Sequence, residues 1–497
     1  MRSHGYALLV VLLCAPAVGA GSTPATPKNS RPKKSARTTA ALPVTTSSPQ
    51  ARKLFQKAMV DLEYMRADRA LANWRAAAQQ DPNFALAHLF VSYGTRDPEE
   101  ESRARARAKQ LAPRVTPGER LLIRWLGGMR ENDYVSAIAA MNDLVAQYPK
   151  DKRLLFLAGR WMVQQERYEQ GAALLERAVA QAPNYPAAVN ELGYAYAFGG
   201  DFDKGFAMME KYVALEPDEP NPEDSYGEIL RLAGRFDAAL EHYRKAVKID
   251  PDFGSELGIA DTYALMGDEA QARAQYARAL LFCKDDAARI DYEMQAATTW
   301  VREGKAEQAG LAFREVAHHA HEAGLGHREA RAHRMAALYA PDHASAWKHL
   351  GEAENALAER HTIAPSDKNE EQARILRARA TLAAQAQDSP AAVKALNQLE
   401  EMAAGSRSQV VQRSYHAAAG AVLVAQDQYA EAIPHLEEDK DDPLSLQLLW
   451  RAYNKTGARA ASAALEKRLA NLNLPTLEQA LVVPKFRASL KAQNQEP

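Results

Sequence analysis

The chain has 497 residues, with 62 basic side chains against 63 acidic ones and a formal net charge of −1. Such a balance gives no overall field for nucleic acid, and two cysteines, Cys14 and Cys283, exclude a disulfide framework. The length exceeds what one ordinary core uses. Abundant Ala, Leu, Glu, Arg and Gln with little β-branching indicate an all-helical class.

From the start of the chain, Met1 to Ala20 reads as a secretory signal. Arg2 supplies the positive start, Ala7 to Leu13 the apolar run, and Val18-Gly19-Ala20 a small-residue cleavage site. The apolar run falls far short of the ~20 residues a spanning helix needs. Leu13 stands before Cys14 where a lipobox needs a small residue. The expectation is export, to a periplasmic or extracellular location after cleavage near Ala20. Residues 21–49 are rich in Thr, Ser, Pro and Ala, with Lys28, Arg31, Lys33, Lys34 and Arg37 and no acid. That composition cannot bury a core, so the segment reads as a disordered basic tether.

A repeat array is expected over 50–360. Its clearest part is marked by Pro149, Pro183, Pro217 and Pro251, each 34 residues after the one before. Between them, one copy places apolar or small residues at Val189, Leu192, Gly193 and Tyr196, then at Phe202, Gly205, Met209 and Tyr212. The first set is one stripe of a helix and the second set another. Gly199-Gly200-Asp201 and Ala233-Gly234-Arg235 supply the turns between stripes. Each proline stops the second helix. Gly159, Gly193 and Gly227 fall inside helices, where glycine costs about 1 kcal/mol relative to alanine; a close helix approach would offset that.

After Pro251 the phase slips by one, and regularity decays after about Ala317. Residues 361–371 read as an exposed loop or hinge. Repeat-like copies resume over 372–475. Residues 476–497 suit a capping helix, with a polar outer face, and a tail.

The pattern of Leu192, Gly193, Tyr196, Phe202, Gly205 and the closing Pro217, recurring at this step, resembles the tetratricopeptide repeat. The resemblance implies a right-handed α-solenoid of stacked antiparallel helix pairs, because a single pair cannot bury its apolar face. It also implies that the first helix of each pair lines a concave groove. Carried over position by position, the groove residues are Arg153, Arg160 and Gln164; Asn190, Tyr194 and Phe198; Asp224, Glu228 and Arg231; and Asp261. Tyr194 and Phe198 would form an exposed aromatic patch that could be truncated without loss of stability.

Chemistry is sparse. Eight of 13 histidines lie between His318 and His361, and His318, His321 and Glu322 could share a helix face. Their order matches no zinc-protease motif, and solvated polar residues are the plainer reading. Cys283 follows an apolar run and reads as a small buried hydrophobe. No nucleophile elbow, phosphate loop or Cys-x-x-Cys occurs. The expectation is a non-catalytic scaffold without metal or cofactor, binding a peptide or protein helix in the envelope. Two alternatives stay open: a polysaccharide-export or glycan-handling module, and a metal-dependent enzyme using the 318–361 region.

Overall fold

The computed structural model describes residues 41–493, apart from 284, 360–362 and 440. The signal reading of Met1 to Ala20 lies outside the described residues. Within them the chain forms helices and no strand.

The helices follow one another in antiparallel pairs. The first three pairs are α1 (Pro49–Glu63) with α2 (Ala67–Gln80), α3 (Ala85–Gly94) with α4 (Pro98–Leu111), and α5 (Pro117–Arg130) with α6 (Tyr134–Gln147). The regular stretch supplies α7 (Lys152–Gln164) with α8 (Tyr168–Gln181), α9 (Pro186–Phe198) with α10 (Phe202–Leu215), and α11 (Pro220–Leu232) with α12 (Phe236–Ile249). Next come α13 (Glu256–Met266) with α14 (Glu269–Leu280), α15 (Asp286–Arg302) with α16 (Ala306–Glu322), and α17 (Gly326–Leu338) with α18 (His343–Glu359). The last are α19 (Pro365–Gln385) with α20 (Ser389–Gly405), α21 (Gln409–Ala425) with α22 (Tyr429–Glu437), α23 (Pro443–Thr456) with α24 (Arg459–Ala470), and the single α25 (Leu477–Gln493). Each pair packs on the next, giving an α-solenoid.

The 34-residue step has a backbone cause. Asn132, Glu166, Gly200 and Gly234, each 34 residues after the one before, hold positive φ of 63°, 53°, 90° and 76° in the turn between the paired helices. A left-handed residue ends the first helix and reverses the chain. Asp133 and Asp201 follow at the N-caps of α6 and α10, their carboxylates accepting from Ser136 and Lys204 backbone N–H groups. Each marker proline stands two residues beyond a second helix. The phase slip after Pro251 is a 3₁₀ turn at Pro251–Phe253. Regularity decays later because the helices lengthen, to 17 residues in α15 and α16 and 21 in α19.

Glycines inside helices mark the closest contacts, as their cost required. A Cβ on Gly159 would lie 2.7 Å from Leu175 Cγ, and one on Gly227 3.0 Å from the Tyr243 ring. Tyr243 is 2% exposed, and the same Cδ1–Cε1 edge also fills the space above Gly258 of the following pair. One ring thus joins three consecutive first-or-second helices through two glycines.

Three boundaries differ from the sequence expectation. Residues 41–48 are not free tether: Leu42 and Val44 pack on the first core cluster, Leu42 N donates to Asp151 Oδ2 at 2.8 Å, and Thr45 N donates to Glu119 Oε1 at 2.7 Å. The polar pattern there serves a strap bonded to helix N-termini. Within the expected loop 361–371, residues from Pro365 onward are helical, with proline at the first turn of α19 where its missing N–H costs nothing. And α25 is not a cap with a polar outer face. Leu477 and Ala480 join the core of α15–α17, while Val482, Val483 and Phe486 join that of α21–α24. It is a strut between two parts of the solenoid.

Gly258→Ala should cost ~1–3 kcal/mol by overpacking the Tyr243 ring, read as a lowered melting temperature. A melt equal to wild type would mean that this contact is loose. Gly193→Val tests less sharply, since its main obstacle is the mobile end of Met209.

Candidate functional site: a charged lumen

The concave side of the solenoid winds round until its turns meet. It borders a partly open cavity of about 1140 Å³, lined mainly by the first helices of the pairs from α3 to α23 and by the start of α25. These helices present charged side chains inward, and the two sides of the seam are joined by them.

At the seam, Arg130 at the end of α5 donates to both carboxylate oxygens of Asp367 at the start of α19, each at 2.8 Å. Such a two-point fork fixes orientation as well as distance. Beside it the Tyr134 hydroxyl donates to Glu370 at 2.6 Å, and Ser408 Oγ to the same oxygen at 2.9 Å. Burial raises the Glu370 carboxyl above its ordinary range. One pair further along, Arg413 of α21 donates to Glu166 at 2.7 Å and to Asp441 at 3.1 Å. The Arg413 and Glu166 side chains are 3% and 6% exposed. Glu166 is also the residue at the left-handed turn position, where a non-glycine costs roughly 1–2 kcal/mol. A glycine there would relax the backbone but could not meet Arg413.

Further inside, α17 contributes Arg328, Arg331 and Arg334 at helical spacing. Arg328 forks onto Asp291 at 3.2 and 3.0 Å, and Arg334 donates to Glu371 at 2.6 Å. Arg377 meets Asp439 and Asp442 at 3.1 and 2.8 Å. His327 beside them is pushed down to about 4 by burial and then by Arg328, so it is neutral near neutral pH. Asp261 is pushed up to about 6 by burial, opposed by Arg231.

The ten residues expected in the groove all lie on first helices: α7, α9, α11 and α13. Six of them line the lumen: Gln164, Phe198, Asp224, Glu228, Arg231 and Asp261. The other four serve packing or bonding between helices. Arg153 Nε bonds Glu63 at 2.7 Å. Arg160, 4% exposed, faces Glu191 at 3.4 Å, and Asn190 is 3% exposed. Tyr194 is 1% exposed and donates to Glu228 at 2.7 Å. The aromatic patch is therefore not an exposed platform. Phe198 stacks between Tyr194 and Tyr168, with ring centroids 5.9 and 5.6 Å away, so truncating Tyr194 and Phe198 together would open the core. The expectation that the pair could be removed without loss of stability is corrected accordingly, because residues one step from the core stripe still pack on the next pair.

Lumen residues from α15 onward, including Asp291, Arg334, Asp367, Glu371 and Arg413, were not singled out by sequence. Only the Arg328, Arg331, Arg334 spacing on one helix face was available as a signal. Of the histidines, His318 lies 3.4 Å from Glu322 on an exposed surface, while His319 and His321 bond Glu293 and Glu329. The three do not converge. Cys283 is half-buried in the turn after α14, not enclosed in a core.

The sequence over 162–223 matches a family model described as a tetratricopeptide repeat, and 225–253 matches a second model of that description. None of the curated proteins matches the chain. Among solved structures, yeast Tom70 is similar at 16% identity, over 84% of this chain and 98% of that one, with a TM-score of 0.41. A chain of the APC/C hetero-tetramer Cut9–Hcn1 is similar at 17% identity, over 81% and 76%, with a TM-score of 0.41. A tetratricopeptide repeat protein from Parabacteroides merdae is similar at 13% identity, over 54% and 93%, with a TM-score of 0.35. Likeness at that level does not extend to partners or activity.

Arg413→Ala leaves Glu166, Asp439 and Asp441 facing one another in a buried site. It should lower unfolding stability by ~3–5 kcal/mol, measured by urea denaturation. A loss under about 1 kcal/mol, the ordinary worth of an exposed pair, would mean that water reaches this site.

Proposed function

We propose, from the tetratricopeptide-repeat matches over 162–223 and 225–253, that this chain is a non-catalytic scaffold of the cell envelope whose lumen receives an extended segment of a protein partner. Repeats of this family serve protein interaction, and the finer reading rests on the lumen. At about 1140 Å³ it exceeds the ~300–1,000 Å³ of ordinary small-molecule pockets. Its walls alternate both signs of charge with amide and hydroxyl groups, among them Gln164, Asp224, Arg231 and Thr381. An extended peptide carries an N–H and a C=O at every residue, and it suits a wall that can both donate and accept. Rigid helices hold those groups in place, so little ordering is needed on binding.

The envelope location rests on the leader-like stretch Met1 to Ala20, with its positive start, apolar run and small-residue site. No described helix is long and apolar enough to cross a membrane. The glycan alternative wants exposed aromatic faces along the lumen. Tyr194 is buried, and Phe198 has both neighbours stacked on it, so that reading has less to stand on.

The test is a plug. Gln164→Trp with Thr381→Trp fills lumen space without removing a charge. Peptides selected from a displayed random library on the wild-type protein should bind the plugged variant at least tenfold more weakly, about 1.4 kcal/mol, with an unchanged melt. Selection that yields no peptide, or peptides that bind both proteins equally, would contradict the reading.

A further inference from the structure

Outside the lumen, the side chains best arranged to do chemistry lie between α17 and α18. His333 comes from α17, and His349 and Glu352 come from α18 at i and i+3, one helix face. Their ligand atoms all lie within 4.8 Å of one another. His349 Nδ1 is 2.9 Å from Glu352 Oε2, and His333 Nδ1 is 3.2 Å from the same oxygen. Donor atoms about 2.0–2.1 Å from a tetrahedral zinc ion stand roughly 3.3 Å apart, so the two observed separations are close to those of a bound site.

The His333 nitrogen gives an independent indication. Its Nδ1 is buried and makes no hydrogen bond among the described residues, although a carboxylate oxygen lies 3.2 Å away. A buried imidazole nitrogen left in that position loses free energy unless a hydrogen bond or a metal uses it. The imidazole side chains are 15% and 9% exposed, while Glu352 is 34% exposed. The site is thus closed on the histidine side and open at the carboxylate, where an ion could enter and a water could complete the shell. Lys348 lies 3.8 Å from the other carboxylate oxygen, which leaves Oε2 to face the rings.

We propose that His333 Nδ1, His349 Nδ1 and one Glu352 carboxylate oxygen bind a single zinc-class divalent cation, with water in the fourth position, clipping α17 to α18. Two imidazoles and a carboxylate suit zinc, copper or nickel, whereas magnesium and calcium seek oxygen. The role is structural. The same α17 carries Arg328, Arg331 and Arg334 into the lumen, so the ion stiffens the helix that holds those arginines. The other histidine groups differ: His416 and His435 have Nδ1 atoms 3.0 Å apart but no third donor meets them among the described residues.

The full chain, stripped with a chelator, is titrated with zinc chloride against a chromophoric indicator, with magnesium chloride as control. The wild type should bind one equivalent tightly and melt at higher temperature with zinc. Cobalt(II) in its place should show the intense visible absorption of a four-coordinate centre. His349→Gln and Glu352→Gln should each weaken zinc binding by at least about tenfold, whereas His318→Gln with His321→Gln should not. Metal-free melts of all variants verify folding; should His349→Gln unfold, Glu352→Gln, at the open side, carries the comparison. No tight equivalent in the wild type, or one that survives in folded Glu352→Gln, overturns the proposal.

Discussion

A charged side chain taken out of water costs several kcal/mol unless a partner of opposite sign meets it with good geometry. This solenoid places Arg334, Arg377 and Arg413 with Glu371 and Asp439 on its inner wall, where all are nearly buried. Each is met, and Arg413 is met by Glu166 from a different turn of the superhelix. Across the seam the pairing holds the winding closed, because a looser winding would part Arg413 from Glu166 and Arg130 from Asp367. Arg130 with Asp367 and Arg413 with Glu166 join residues 237 and 247 positions apart.

An ordinary repeat array is nearly one-dimensional, each unit touching only its neighbours. Here the seam between α5 and α19, and the strut α25 between α15 and α23, add contacts that skip many units. Opening one part of the array must then break bonds in another, so the molecule gains cooperativity that stacking alone would not give. The strap at residues 41–48 works in the same direction at the other end, by bonding Asp81 at the end of α2, Glu119 on α5 and Asp151 at the start of α7.

What the sequence made legible follows from range. The turn at Gly200, the glycine contact at Gly193 and the stop at Pro217 are local events, repeated at a fixed step, and each leaves a residue type that has few substitutes. Even so, Glu166 occupies the same left-handed position without glycine, because its side chain is needed across the seam. Long-range pairing leaves no such trace: nothing near Asp367 indicates that Arg130 will meet it, and Pro365 looked like a break when it opens a helix. The ten groove residues sit on first helices but at different depths, since Tyr194 and Arg160 stand one step from the core stripe yet face the next pair. His333 and His349 were hidden for a similar reason, being 16 residues apart on two helices whose packing alone brings them together.

Closure of the seam can be measured as a distance. Spin labels at two exposed positions flanking it, Val135→Cys on α6 and Val393→Cys on α20 (65% and 45% exposed), in a chain with Cys14 and Cys283 changed to serine, report it by pulsed electron spin resonance. A seam held closed by these ion pairs gives one narrow distance distribution. A broad distribution, or a second population at longer distance, would describe an open solenoid that flexes, and would contradict the account.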